Sequence, residues 1–121
     1  MRVIIKGTHT ELTPALRTYL EERVIKSLSK LLGSHESDSP LVEVEFERTT
    51  RHHQKGYVWR AEANVTFGKH ILRAEASGED PKEAINVLEE EIVQEVKRFK
   101  EKTAARSRQG ARAIKKRLRE A

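Results

Sequence analysis

Apolar and polar positions along this chain change period several times, and each change marks an element. Arg2 to Gly7 (RVIIKG) reads as a short strand. Thr13-Pro14 opens a helix, with Thr13 as N-cap and Pro14 at the first helical position. Leu16, Tyr19, Leu20, Val24, Leu28, Leu31 and Leu32 recur at helical spacing, and Gly33 is suited to end the helix. Ser34 to Pro40 (SHESDSP) is polar and turn-like, a loop. Leu41 to Glu47 alternates strictly: Val42, Val44 and Phe46 point one way, Glu43, Glu45 and Glu47 the other. This is a half-buried strand with one wet face. Arg48 to Gly56 (RTTRHHQKG) is a polar, basic connection.

Alternation resumes from Tyr57 to Phe67. Tyr57, Trp59, Ala61, Ala63, Val65 and Phe67 fall on the predicted inner face, and Arg60, Glu62, Asn64 and Thr66 on the outer. Gly68-Lys69 fits a two-residue hairpin turn. His70 to Ala76 returns, with Leu72, Ala74 and Ala76 inward and Arg73 and Glu75 outward. Asp80-Pro81-Lys82-Glu83 then combines a capping Asp, a first-turn Pro and a capping-box Glu. Ala84, Ile85, Leu88, Ile92, Val96 and Phe99 form the apolar stripe of a second helix.

The order is β-α-β-β-β-α. Two amphipathic helices and a sheet with one polar face predict an α+β fold, a two-layer sandwich over residues 1–102. From Thr103 to Ala121 the stripe fades, and Ile114 and Leu118 are the only large apolar residues. This segment is a basic C-terminal tail, helical or disordered, expected to fray when unbound.

Composition narrows the function classes. The 121 residues fit one domain, and equal hydrophobic and charged fractions of 36% leave a lean core under a densely charged surface. The absence of cysteine excludes disulfides and thiolate metal sites. Met1 to Gly7 lacks the apolar core of a secretory signal. No apolar run approaches the roughly 20 residues that span a bilayer. The expectation is a cytoplasmic protein with no membrane partner.

The net charge of +5 is unevenly placed. The tail carries Arg106, Arg108, Arg112, Lys115, Lys116, Arg117 and Arg119 against Glu120, a net +6, so the body of 17 bases and 18 acids stands at −1. A polyanion-binding surface in the body must therefore come from segregated charge. In the first helix Arg17, Arg23, Lys26 and Lys30 outnumber Glu21 and Glu22, and Arg23, Lys26 and Lys30 follow i, i+3, i+7 spacing along one flank. In the second, Glu89, Glu90, Glu91 and Glu95 precede Lys97, Arg98, Lys100 and Lys102. Bases at a helix C-terminus also answer the helix dipole, so this polarity has a purely structural reading. Alternatively, two helices on one side of a sheet bring their basic ends together as a groove for RNA phosphates. Arg48, Arg51, His52, His53 and Lys55 form a compact donor cluster, open to the same two readings: phosphate contact or a soluble hairpin end.

Catalysis finds little support. There is no Gly-rich phosphate loop, no nucleophile motif and no metal-ligand spacing, and adjacent His52 and His53 point apart in extended or turn structure. The glutamates of the second strand read as a solvated face that Arg60 and Arg73 pair across strands. No cofactor and no small-molecule substrate are called for. Inward aromatics argue against a base-stacking sheet of the RRM kind.

The stretch TPALRTYLEERVIKSLSKLL, after a strand ending in Gly7, resembles the first helix of the ribosome hibernation promoting factor and ribosome-associated inhibitor family. VEVEFERTTRHHQKGYVWRAEANV and LRAEASGEDPKEAINVLEEEIVQEVKRFKEK are similar to the rest of that family's domain, over about residues 1–102. The specificity lies in the ordered combination of TTRHHQKG, RAEA, and ED followed by AIN. The resemblance implies a fold shaped like double-stranded RNA-binding domains. It implies binding to the small ribosomal subunit in the mRNA and tRNA channel, against 16S rRNA, with steric inhibition of translation.

Arg17, Arg23, Lys26 and Arg98 stand where the family carries bases, whereas Glu91 and Gln94 depart from it. The tail, with Arg106, Arg108 and Arg112, is expected to compensate. The resemblance also implies a short form, monomeric because it lacks the C-terminal dimerisation domain of long members. Two other binding readings stay open: a general double-stranded RNA-binding module with a basic arm, and a protein-interaction module acting on a transcription factor. An enzyme is the remote fourth.

Overall fold

The computed structural model describes residues 1–33, 39–49 and 57–120. Strand β1 (Arg2–Thr8) leads to helix α1 (Pro14–Leu20), which continues through a π-helical segment (Glu21–Ile25) into α2 (Lys26–Leu32). Three strands follow, β2 (Leu41–Arg48), β3 (Trp59–Phe67) and β4 (His70–Gly78), and then one long helix, α3 (Pro81–Glu120). The sheet order is β1-β2-β3-β4, with β1 parallel to β2 and the other pairs antiparallel. The helices cover one face, which makes the two-layer α+β sandwich that the periodicity predicts.

The core is the inner face of the sheet against one stripe of each helix. Val42, Val44, Phe46, Ala61, Ala63, Val65, Ala74 and Ala76 meet Leu20, Val24, Leu28, Leu32, Ala84, Ile85, Leu88, Ile92 and Val96, all buried. Small alanines on β3 and β4 let α3 lie close. Gly78 carries this furthest, since a Cβ there would stand 2.5 Å from Ala84 N.

The π segment has a reason in the sequence. Leu20, Val24, Leu28 and Leu32 repeat every four residues, and each is at most 4% exposed. A regular α-helix turns 360° in 3.6 residues, so strict four-residue spacing drifts about 40° per step. The wider turn, closed by the Lys26 N–H donating to Glu21 O, absorbs that drift.

Local signals at the helix ends are met as read. The Leu16 N–H donates to Thr13 Oγ1 at 3.2 Å, and the Glu83 N–H to Asp80 Oδ1 at 2.8 Å. Gly33 follows α2 with φ +63°, and Gly68 sits in the β3–β4 turn with φ +57°.

Two expectations need correction. Tyr57 is not in the core: it is 65% exposed and lies before β3, which begins at Trp59. Val58 is the buried residue there, its carbonyl accepting from the Thr49 N–H at 2.8 Å. Second, the second helix does not end near residue 102, and the basic tail, expected as helical or disordered, is helical. Helix α3 runs unbroken to Glu120, and Arg106 to Arg119 are exposed throughout.

Candidate nucleic-acid interface

The two helical stretches run parallel, as three cross-links show. Tyr19 Oη donates to Asn86 Oδ1 at 2.6 Å, Ser27 Oγ to Glu89 Oε1 at 2.9 Å, and Lys100 Nζ to Leu31 O at 2.6 Å. The last bond satisfies a carbonyl that the end of α2 leaves without an intrahelical partner. Both helices thus run toward the same end of the sandwich, beside the Gly68-Lys69 turn, where α2 ends and α3 passes on, and where Phe67 and Phe99 meet edge-to-face with centroids 4.9 Å apart.

Tyr19 is the hub of the upper groove. Arg23 Cζ and Lys82 Nζ each lie 5.3 Å from its ring centroid, within cation–π range. Arg23 then lines a cleft of about 450 Å³ with Asn86, Glu89, Glu90 and Val93. The groove is therefore mixed in charge at its midpoint, not positive along its length as the helix ends alone suggested. The π turn also changes the phase between Arg23 and Lys26, so the i, i+3, i+7 flank does not hold as an α-helical line. Lys26 and Lys30 remain one turn apart and exposed.

The other sequence-derived candidates are placed as follows. Arg17 is exposed and pairs with Glu21 at 3.2 Å, one turn on. Arg98 pairs with Glu95 at 3.0 Å, also in solvent. Lys97 and Lys102 are exposed on α3, as are Arg106, Arg108 and Arg112 farther along it. Arg51, His52, His53 and Lys55 lie outside the described residues. The strand ends that their segment joins, Arg48 and Trp59, pair with each other, and Trp59 pairs with Gly78. That is the sheet end where α3 starts, roughly 30 Å, for a nine-residue strand, from the end where α2 stops and α3 passes Phe99. Arg48 places its guanidinium 5.5 Å from the Trp59 ring, which stacks on Phe46 at 5.4 Å.

The open face of the sheet has the opposite character. Register aligns Lys6, Glu45, Glu62 and Glu75 in one row across all four strands. Like charges directly opposite destabilise a sheet. Arg60 answers them, reaching Glu75 at 2.7 Å, Glu62 at 3.4 Å and Glu47 at 3.7 Å. The Glu75 hydrogen bond, helped by attraction to Glu62 and Glu47, outweighs partial burial and raises the Arg60 pKa above its ordinary value. Thr8 Oγ1 donates to Glu45 at 3.0 Å. Arg73, expected to pair in the same way, stands opposite Asn64 and enters no ion pair among the described residues.

Sequence reasoning missed three parts of this surface. It saw Tyr19 only as a core residue, although Lys82 and Asn86 recur at i, i+4 and pointed to a shared contact. The glutamate row depends on register between strands, which alternation within one strand does not carry. It named Lys115, Lys116 and Arg119 as tail bases but not as a site, yet they and Arg112 border one depression on the surface of α3. Among the described residues no group of His, Asp and Glu is arranged to hold a metal, and no helix is long and apolar enough to cross a membrane.

Comparison with known proteins gives this architecture its relatives. No curated protein matches the chain. The N-terminal domain of Protein Y from Thermus thermophilus superposes with a TM-score of 0.63 at 23% identity, covering 82% of this chain and 99% of that domain. A ribosomal subunit interface protein from Coxiella burnetii gives 0.63 at 20% identity, over 83% of this chain and 98% of its own. At such identities the likeness is one of fold. The model of the Sigma 54 modulation protein / S30EA ribosomal protein family matches residues 3–104, most of the chain, and the chain therefore belongs to that family.

Proposed function

We propose that this protein is a ribosome hibernation factor. It binds the small ribosomal subunit in the channel for mRNA and tRNA, against 16S rRNA, and inhibits translation by occupancy. Family membership over residues 3–104 is the observation that carries the reading. The Coxiella burnetii relative is itself described as a ribosomal subunit interface protein. Charge segregation supports it. Arg17, Arg23, Lys26, Lys30, Lys97, Arg98 and Lys102 are exposed on the helical layer, and the glutamate row lies on the opposite face. In a body of net charge −1 the helical layer, where these bases alternate with acids along the groove, is the less acidic side. Arg51, His52, His53 and Lys55 join the proposed surface by sequence alone.

Nothing in this mechanism makes or breaks a bond, and it needs no cofactor and no small-molecule substrate. The protein acts as a cytoplasmic monomer. Co-sedimentation with purified small subunits at low salt is the direct test, with binding expected to weaken as salt rises. Recovery only in the ribosome-free fraction overturns the reading. Competition with free duplex RNA separates it from a general double-stranded RNA-binding module, which would release small subunits at equal duplex concentration.

A further inference from the structure

We propose that the exposed C-terminal half of α3 is an RNA-binding arm that grips sugar-phosphate backbone through one flank. The flank is formed by Arg108, Arg112, Lys115, Lys116 and Arg119. These five are linked by steps of three and four residues, which place side chains on the same face of an α-helix. Arg112, Lys115, Lys116 and Arg119 border one continuous depression. Arg106, which the sequence alone groups with Arg108 and Arg112 as a contact, and Arg117 lie roughly 140–160° around the helix, on the far side, and are outside the proposed contact. The arm begins where the family match ends, at residue 104, so it is an addition to the shared body.

The flank has no acid within it. Arg108 and Arg112, Arg112 and Lys116, and Lys115 and Arg119 are like-charge pairs at i, i+4, each of which destabilises an isolated helix. A polyanion removes that repulsion. The five bases span twelve residues, about 17 Å from first to last along the helix, which suits the dense charge of a nucleic-acid duplex.

Other occupants fit less well. The stripe beside the flank consists of the small residues Ala104, Ser107 and Ala111 with Ile114 and Leu118, the only large apolar ones, at 61% and 72% exposed. Two large side chains are too few to seat an interfacial helix in a lipid surface. Pairing two copies along this heptad-like stripe would set Arg108, Lys115 and Arg117 beside the seam, like charge against like charge. The inference extends the ribosome reading, on which it rests for the source of the RNA and for nothing else.

The test uses the full chain and a fluorescent RNA duplex of about 20 base pairs, long enough for a shape-reading protein. Binding is followed by anisotropy across a range of salt. Arg112→Gln/Lys116→Gln and Arg106→Gln/Arg117→Gln each remove two charges, on and off the flank. The on-flank pair is expected to weaken binding about tenfold or more and to flatten the salt dependence by nearly two contacts. The off-flank pair should stay within about threefold of the parent. Equal losses from both pairs mean diffuse attraction and overturn the flank. Arg112→Lys/Arg119→Lys keeps charge and helicity and should bind like the parent. If it binds as poorly as the Gln pair, backbone phosphate recognition is overturned.

Tighter binding to phosphatidylserine vesicles than to the duplex also overturns it. Small-subunit sedimentation is run in parallel. A parent that fails to pellet with subunits, but loses duplex binding through the flank pair, sinks the ribosome reading and leaves the arm standing. A parent that pellets, with both pairs binding duplex alike, does the reverse.

Discussion

Gly78 at the end of β4 lies so close to the first turn of α3 that a Cβ at 78 would stand 2.5 Å from Ala84 N and 3.0 Å from Glu83 Cβ. The obstacle is backbone, which cannot swing aside as a side-chain tip does. Gly78→Ala must therefore push α3 off the sheet, and overpacking of this kind costs about 1–3 kcal/mol. Urea denaturation should show a lower midpoint at unchanged m-value. Ser77→Ala, at an exposed neighbour, is the control and should move it little.

Arg60 is the second critical position. It binds Glu75 and Glu62, which the register sets side by side, and Glu47, which stands opposite it on β2. Removing it by Arg60→Met should cost about 1–2 kcal/mol at low salt, from lost pairs and exposed repulsion, and less at high salt. The pH dependence follows from the sign of the shift. The folded-state pKa is raised above the ordinary arginine value, so the Arg60 contribution is complete below that ordinary value and is lost only as pH rises beyond it. Titration of Arg60 itself therefore contributes no slope near neutrality. Between about pH 7 and 9 the stability difference between parent and variant should be constant, as denaturation at several pH values would check. A difference that collapses within this window would mean another group governs the cluster.

Much of this architecture was legible because its periods are clean. Val42, Val44 and Phe46 alternate with glutamates, and the structure buries that apolar side to 2% exposure or less. The alternation extends past the strand at Tyr57, because a strand's first residue is set by its partner, and here Thr49 pairs with Val58. The π turn was written in the four-residue repeat of Leu20, Val24, Leu28 and Leu32, which exceeds the 3.6 of an α-helix. Half of the glutamate row was also within reach. A two-residue turn at Gly68-Lys69 pairs Phe67 with His70, and counting back pairs Glu62 with Glu75. The other half, Glu45 against Glu62, depends on the register of β2 with β3 across a long connection, and no local rule sets it.

The helix caps offer a cleaner comparison than the core. Thr13 accepts from Leu16 N at 3.2 Å and Asp80 from Glu83 N at 2.8 Å. Each of Thr13→Ala and Asp80→Ala should cost about 1 kcal/mol. Asp80 also places a negative charge at the α3 N-terminus, so its variant should lose more, and the excess should shrink with salt. Thermal unfolding of the two variants at low and high salt distinguishes them. Equal losses at both salts would remove the dipole contribution.

Gly110 sits in the middle of the exposed arm, and a Cβ there meets nothing within 4 Å. Glycine inside a helix costs about 1 kcal/mol relative to alanine, chiefly because the unfolded backbone has more freedom to lose. No packing offsets that cost here, since Arg106 to Arg119 are all exposed. Gly110→Ala should therefore slow amide exchange over residues 103–119 by up to about fivefold, the factor that 1 kcal/mol represents. The global unfolding midpoint, set by the sandwich core, should hardly move. If the arm must be helical to present its basic flank, the same substitution should tighten duplex RNA binding by a similar factor. Slower exchange without tighter binding would show that the arm meets RNA already ordered. A lowered global midpoint would instead place Gly110 in contact with the body.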